Sequence, residues 1–334
     1  MLDLSNRIYA RNWEKMKLID MHCDSLYQMM KERSISLQQN RLCVDLEKLK
    51  KAHSMAQFFA CFIYKAEFSE ENIWDEAYQY ALDMIDYGKT CIQQCDGGIA
   101  TAYSYEDIVN FYEKNQISAM FTLEEGGVLN GKIERLDELY QKGIRLITLT
   151  WNYENCIGYP NSRDENLMQL GLKPFGLEVV RRMNELGMLI DVSHLSDGGF
   201  WDVVKYSSKP VVASHSNTRV LCNHPRNLSD KMIKALAEKG GVCGLNFYPY
   251  FSNSSGKATA QDIAEHAFHM YQVGGEDVIA IGTDFDGFDE GELDITDMSQ
   301  MDVVYEAFLK RGFTERQMDK IWHKNILRVI KEQG

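Results

Sequence analysis

The sequence is short of the features that mark several protein classes. It has five prolines in 334 residues and no Gly/Ser-rich stretch. Nothing marks a linker, so a single domain over residues 1–334 is expected. No apolar run reaches the roughly 20 residues that a membrane-spanning helix needs. Residues 1–17 lack the apolar core and small-residue cleavage site of a secretory leader, and residues 328–334 carry no hydrophobic tail for a lipid anchor. Positive charge is also scarce: 36 Lys and Arg against 49 Asp and Glu leave a net charge of −13. A phosphate backbone requires clustered cations, so the balance argues against nucleic acid as a partner, and none is expected. No GxGxxG or GxxxxGK[ST] follows an apolar run, which removes support for a nucleotide-dependent oxidoreductase. The eight cysteines include no CxxC pair. Cys91 and Cys95 could face each other on a helix, but a thiolate metal site normally shows a second pair, so buried reduced thiols are the reading. The expectation is a soluble cytoplasmic protein with no membrane partner.

What the sequence does have is a rhythm. Eight short β-rich apolar runs cover residues 16–22, 56–64, 117–125, 144–151, 188–194, 210–216, 241–248 and 278–285. Amphipathic stretches of helical length lie between them, including 137–142, 176–186, 198–206 and 229–239. The last opens on Ser229, a good N-cap, and closes before Gly240 and Gly241. Alternating strand and helix implies parallel strands with crossover helices. Eight units predict an α/β fold of the (β/α)8 TIM-barrel type, with a doubly wound open sheet as the alternative. Residues 65–108, long and acidic, read as a helical insertion.

The informative residues gather at the ends of these runs, where a barrel places its chemistry. His22 and Asp24 end the first run; two apart on an extended chain, they point to one side and form a natural chelate for zinc. The third run ends in Glu124-Glu125-Gly126-Gly127, the fifth in Asp191-Val192-Ser193-His194, the sixth in Ser214-His215-Ser216, and the eighth in Asp284-Phe285-Asp286-Gly287. A lone strand-end His is usually a hydrogen-bonded core residue, and a lone Asp is often a helix cap. Barrel closure, however, would bring all of these ends together. His53, His224, His266, His269 and His323 fall in helix or loop contexts.

Taken in order, Asp20-x-His22-x-Asp24, Glu125-Gly126-Gly127, Leu146 to Thr150, Asp191-x-x-His194, Ser214-His215-Ser216, Arg226-Asn227, Asn246-Phe247-Tyr248 and Asp284-Phe285-Asp286-Gly287 make the chain resemble the renal or membrane dipeptidases. These are metallopeptidases of family M19 on an amidohydrolase-like barrel, and the likeness runs from about Leu18 to Ile330. It implies a metal-dependent dipeptidase whose substrate is a small dipeptide, including L-Xaa-D-Xaa, and whose reactive hydroxide bridges two Zn2+ ions. His22 and Asp24 would bind one ion, His194 and His215 the other, and Glu125 would bridge them. These nitrogen and oxygen donors also suit manganese, iron or cobalt. The resemblance further implies that Asp284 is catalytic, with helix capping as its plain alternative, and that Arg226 holds the substrate carboxylate, with a surface salt bridge as its alternative. It also implies Tyr248 as a substrate contact. Asp20 and Asp191 are either partners of the ligand imidazoles or turn residues. One departure stands out: vertebrate members carry a histidine where this chain has Trp151, leaving Asn152 as a substitute donor to substrate. Hydrolysis of an N-acyl amino acid, a lactone or a cyclic amide is the alternative activity, and an inactive metal-binding protein a further one. A homodimer is expected.

Overall fold

The computed structural model describes residues 13–334; most of the 1–17 stretch considered above lies outside the described residues. Nine parallel strands form the main sheet: β1 (Leu18–Cys23), β2 (Ser54–Phe62), β3 (Ile99–Thr101), β4 (Ile117–Glu124), β5 (Ile144–Thr148), β6 (Leu189–Asp191), β7 (Val212–Ala213), β8 (Val242–Leu245) and β10 (Ile279–Ile281). β2 pairs with both β1 and β4, and β1 pairs with β10. Eight strands therefore close into a barrel, and β3 is an extra edge strand on β4. The eight runs read from sequence are these eight strands. Every run but the first extends past its strand, because the apolar signal continues into the loop that carries the functional residues.

The 65–108 region is richer than a helical insertion. It holds the long helix Ile73–Gln93, but also β3 and the start of the helix Tyr105–Glu113. Three residues of strand, Ile-Ala-Thr, give too short an alternation for a period of two to register. The predicted helices are present as Glu134–Lys142, Pro174–Leu186, Asp197–Tyr206 and Asp230–Glu238. Ser229 caps the last, its side chain accepting from Met232 N. A small parallel pair, β9 (Lys257–Ala258) with β11 (Glu292–Leu293), joins two loops near the barrel mouth.

Two apolar cores follow from strand periodicity. Met21, Phe58, Met120, Leu146, Val242 and Ala280 face the barrel interior and pack with Ile326, Val329 and Ile330 of the C-terminal helix Asn325–Gln333, which plugs the bottom. Alternate residues such as Phe121, Leu123 and Ile147 face outward against the helix layer. The interior is tight: a Cβ at Gly244 or Gly282 would come within 2 Å of Ser214 O (1.9 and 1.8 Å), so only glycine fits there. With the bottom filled, polar residues can gather only at the strands' C-terminal mouth. No helix among the described residues is long and apolar enough to cross a membrane.

Candidate active site

At that mouth lies a cavity of about 650 Å³. Asp24, Glu124 and His194 line it, and His22 and His215 lie fully buried against Glu124. Glu124 is the last residue of β4, in register with Phe62 of β2 and Thr148 of β5. Counting by twos from the interior Met120 reaches Thr122 and then Glu124, so its side chain points inward. Its two oxygens divide their attention. Oε2 lies 3.3 Å from His22 Nε2, while Oε1 lies 3.0 Å from His194 Nε2 and 3.5 Å from His215 Nε2. Asp24 Oδ2 is 3.4 Å from His22 Nε2. Two donor groups share this one carboxylate: His22, Asp24 and Glu124, and Glu124, His194 and His215, with ligand atoms in each group within 4.8 Å of one another.

This corrects the assignment of Glu125 from sequence. Glu125 lies one residue past the strand with φ of 97°, which turns its side chain out of the cluster. Its carboxylate instead accepts from Gly127 N (2.7 Å), Trp151 N (3.0 Å) and Asn155 Nδ2 (2.5 Å). Burial pushes it up to about 7. The signal that identifies Glu124 is the strand's own alternation; two adjacent glutamates before Gly-Gly hid it.

Two of the three imidazoles are held in defined tautomers. The Ser214 hydroxyl donates to Asp191 Oδ2 (2.5 Å) and so accepts from His215 Nδ1 (2.7 Å), leaving His215 Nε2 with its lone pair toward Glu124. Asp191 also accepts from Ser193 N and Ser214 N, which fixes the ends of β6 and β7. His194 Nδ1 donates to Asn152 Oδ1 (3.1 Å), again freeing Nε2. Asp20 reaches no imidazole; it ties β1 to Thr283 through its backbone N–H and hydroxyl, both at 2.8 Å. His194 and Asp284 have φ of 65° and 64°. Such strain in non-glycine residues persists only where surroundings enforce it, and it is common at functional sites.

The cluster's electrostatics suit bound cations. Burial pushes Asp24 up to about 7 and Asp284 up to about 6. Burial acts on Glu124 in the same sense, but the His22 charge and three imidazole contacts outweigh it and hold the carboxyl well below its usual range. Burial lowers His194 to about 3. Both His22 ring nitrogens and Asp24 Oδ1 are buried without a hydrogen bond. Buried polar atoms normally find a partner, and divalent cations would provide one for a His/carboxylate set of this kind.

Asp284 stands beside the cluster, Oδ1 3.7 Å from His22 Nε2 and Oδ2 accepting from Asn246 Nδ2 at 2.9 Å. It lines the cavity, as do Asn152 and Tyr248. Arg226 does not line it and is no surface salt bridge. The side chain is 4% exposed, Nη1 and Nη2 donate to Ser216 Oγ and His215 O, and Nε has no partner. Its guanidinium lies 5.5 Å from the ring of Phe251, a cavity residue. Cys91 and Cys95 are buried free thiols, Cys95 Sγ donating to Cys91 O.

Residues 9–334 match the family model described as membrane dipeptidase (peptidase family M19). An uncharacterized protein from the pqqA 5′ region of Klebsiella pneumoniae is 31% identical over 253 residues, 73% of this chain and 92% of its own length. An uncharacterized dipeptidase of Schizosaccharomyces pombe is 28% identical over 99% of this chain and 83% of its own. Among solved structures, a metallopeptidase from Rhodobacter sphaeroides, liganded with a phosphinate mimic of the dipeptide L-Ala-D-Ala, superposes with a TM-score of 0.86 at 22% identity, covering 96% of this chain and 99% of that one.

Proposed function

Since the chain belongs to the membrane dipeptidase family of metallopeptidases and is a metal-dependent dipeptidase, we propose that it works with two zinc ions, His22 and Asp24 holding one, His194 and His215 the other, and Glu124 bridging them. The observation that carries this reading is the division of the Glu124 carboxylate, one oxygen toward His22 and the other toward His194 and His215. Bound there, the ions would lower the pKa of a water and polarise the scissile carbonyl.

The chain's own residues supply the rest. Asp284 accepts the proton of the attacking water and delivers it to the leaving nitrogen; Asn246 aims it and burial raises its basicity toward neutral pH. Asp191, through Ser214, and Asn152 orient His215 and His194. Asn152 thus serves its histidine with its carbonyl oxygen, and its amide is left to face the cavity and the substrate. Arg226 is assigned to the terminal carboxylate, a group its planar guanidinium suits: its Nε lacks a partner, and Phe251 stands between it and the cavity that Tyr248 also lines. The dipeptide mimic bound by the Rhodobacter relative supports a dipeptide substrate with a D-residue allowed in second position. The eight free cysteines support a reducing, cytoplasmic setting.

The test is hydrolysis of L,L and L,D dipeptides by purified protein, chelated and then resupplied with zinc. Zinc-restored cleavage of dipeptides but not of longer peptides is expected. Metal-bound protein that leaves every dipeptide intact would overturn the assignment.

A further inference from the structure

One wall of the active-site cavity is built almost wholly of aromatic rings. Phe62 and Trp151 meet edge to face with centroids 4.9 Å apart, Tyr64 stands at 90° to Trp151 at 5.8 Å, and Tyr27 packs on Phe62 at 5.0 Å. Tyr153 backs Trp151 at 5.3 Å. The wall is anchored to the reaction centre at two points. Phe62 is the register partner of Glu124 across β2 and β4, and Trp151 donates its backbone N–H to Glu125. Glu125, turned away from the metal ligands, thereby fixes the wall instead.

The wall is apolar, partly open and beside the scissile position: Trp151 lies 6.1 Å from the His194 ring, and Tyr64 is 37% exposed. Aromatic surface of this kind is recognised by complementary apolar or aromatic groups. The opposite charge sense is also marked. Among the described residues the cavity is lined by no Lys or Arg, and its rim carries Asp286, Asp289 and Glu290, which disfavour an acidic side chain.

Barrel order decides which end of the dipeptide meets the wall. Around the closed sheet, β2 and β7 are separated by three strands on either side. Arg226 lies in the segment after β7 and Phe62 ends β2, so the two face each other across the mouth. We propose that the wall of Phe62, Tyr64 and Trp151 is the subsite for the side chain of the N-terminal residue, selecting dipeptides with a large apolar or aromatic residue first and rejecting acidic ones; this rests on Arg226 holding the C-terminal carboxylate.

The experiment measures kcat/KM of the metal-loaded enzyme on Phe-Ala, Ala-Ala, Glu-Ala and Ala-Phe, each with an L or a D second residue, for wild type, Trp151→Ala and Tyr64→Ala. Wild type should favour Phe-Ala over Ala-Ala by about ten- to a hundredfold, the span that differences in apolar pocket contact provide. Glu-Ala should fall below Ala-Ala. Each variant, at unchanged metal content, should lose about tenfold on Phe-Ala and no more than about threefold on Ala-Ala. Tyr64 does not touch His194, so its variant separates recognition from damage to the metal site. Equal losses on Phe-Ala and Ala-Ala, or a wall-dependent preference for Ala-Phe, would overturn the subsite while leaving the dipeptidase intact. Failure to cleave any of the four would overturn the activity itself, and the subsite with it.

Discussion

Glu124 and Glu125 are neighbours in the chain, yet their carboxylates serve different structures: Glu124 Oε1 lies 3.0 Å from His194 Nε2, whereas Glu125 Oε2 accepts from Trp151 N at 3.0 Å. The peptide between them marks the end of β4, and the positive φ of Glu125 separates their directions. Glu124→Gln should therefore lose metal and activity together. Glu125→Gln should keep its metal while losing stability, about 1–3 kcal/mol for one disturbed buried acceptor. Metal analysis and thermal unfolding of the two variants check this; metal loss in the second alone would reverse the assignment.

Asp284→Asn should retain metal and lose turnover by about a hundredfold or more, the usual contribution of a positioned acid–base group. KM should change little. Steady-state kinetics beside metal analysis decide it, and unchanged kcat would leave Asp284 a structural residue held by Asn246.

Arg226 is buried, so truncation would remove the donor to Ser216 Oγ and leave His215 O only the long bond from Asn246 Nδ2 at 3.4 Å. Arg226→Lys keeps the charge and removes the fork. It should raise KM for free dipeptides well above its effect on C-terminally amidated ones. A uniform effect on both substrates would point to folding, not carboxylate recognition.

The relay from Asp191 through Ser214 to His215 Nδ1 predicts that Ser214→Ala weakens metal binding by about ten- to a hundredfold, as loss of a ligand's supporting hydrogen bond does elsewhere. Competition with a chelating dye measures it. Unaltered affinity would mean that packing alone holds the ring.

His266 provides a pH prediction away from the metal cluster. Its Nδ1 accepts from Thr218 N, and its Nε2 donates to Ser252 O. Burial lowers it to about 4; the hydrogen bond to Ser252 O and the Asp262 charge oppose this, and His269 adds to it. The unfolded chain binds a proton near 6.5, before the folded one does, so the stability from neutral His266 is full above pH 6.5. It is lost as pH falls toward 4, by at most about 3 kcal/mol. His266→Gln should flatten this part of the stability profile relative to wild type. Identical slopes from pH 7 to 4.5 would refute it.

Much of the fold was legible. The eight apolar runs became the eight barrel strands, because a parallel barrel strand is buried on both faces and its composition records that burial directly. Strand β3 was not legible, since three residues carry no period. His22, Asp24, His194 and His215 were legible as polar residues at the ends of apolar runs, which have few structural reasons to be there.

The order of elements, the residue types at the strand ends and the net negative charge were thus written in the sequence by itself, because hydrophobic periodicity and composition are local properties. That Asn152 serves His194, that Arg226 is buried, and that Phe62, Tyr64 and Trp151 form one wall were decided only by tertiary structure. Each depends on a backbone turn or on strands distant in sequence meeting at closure, and neither leaves a trace in local pattern.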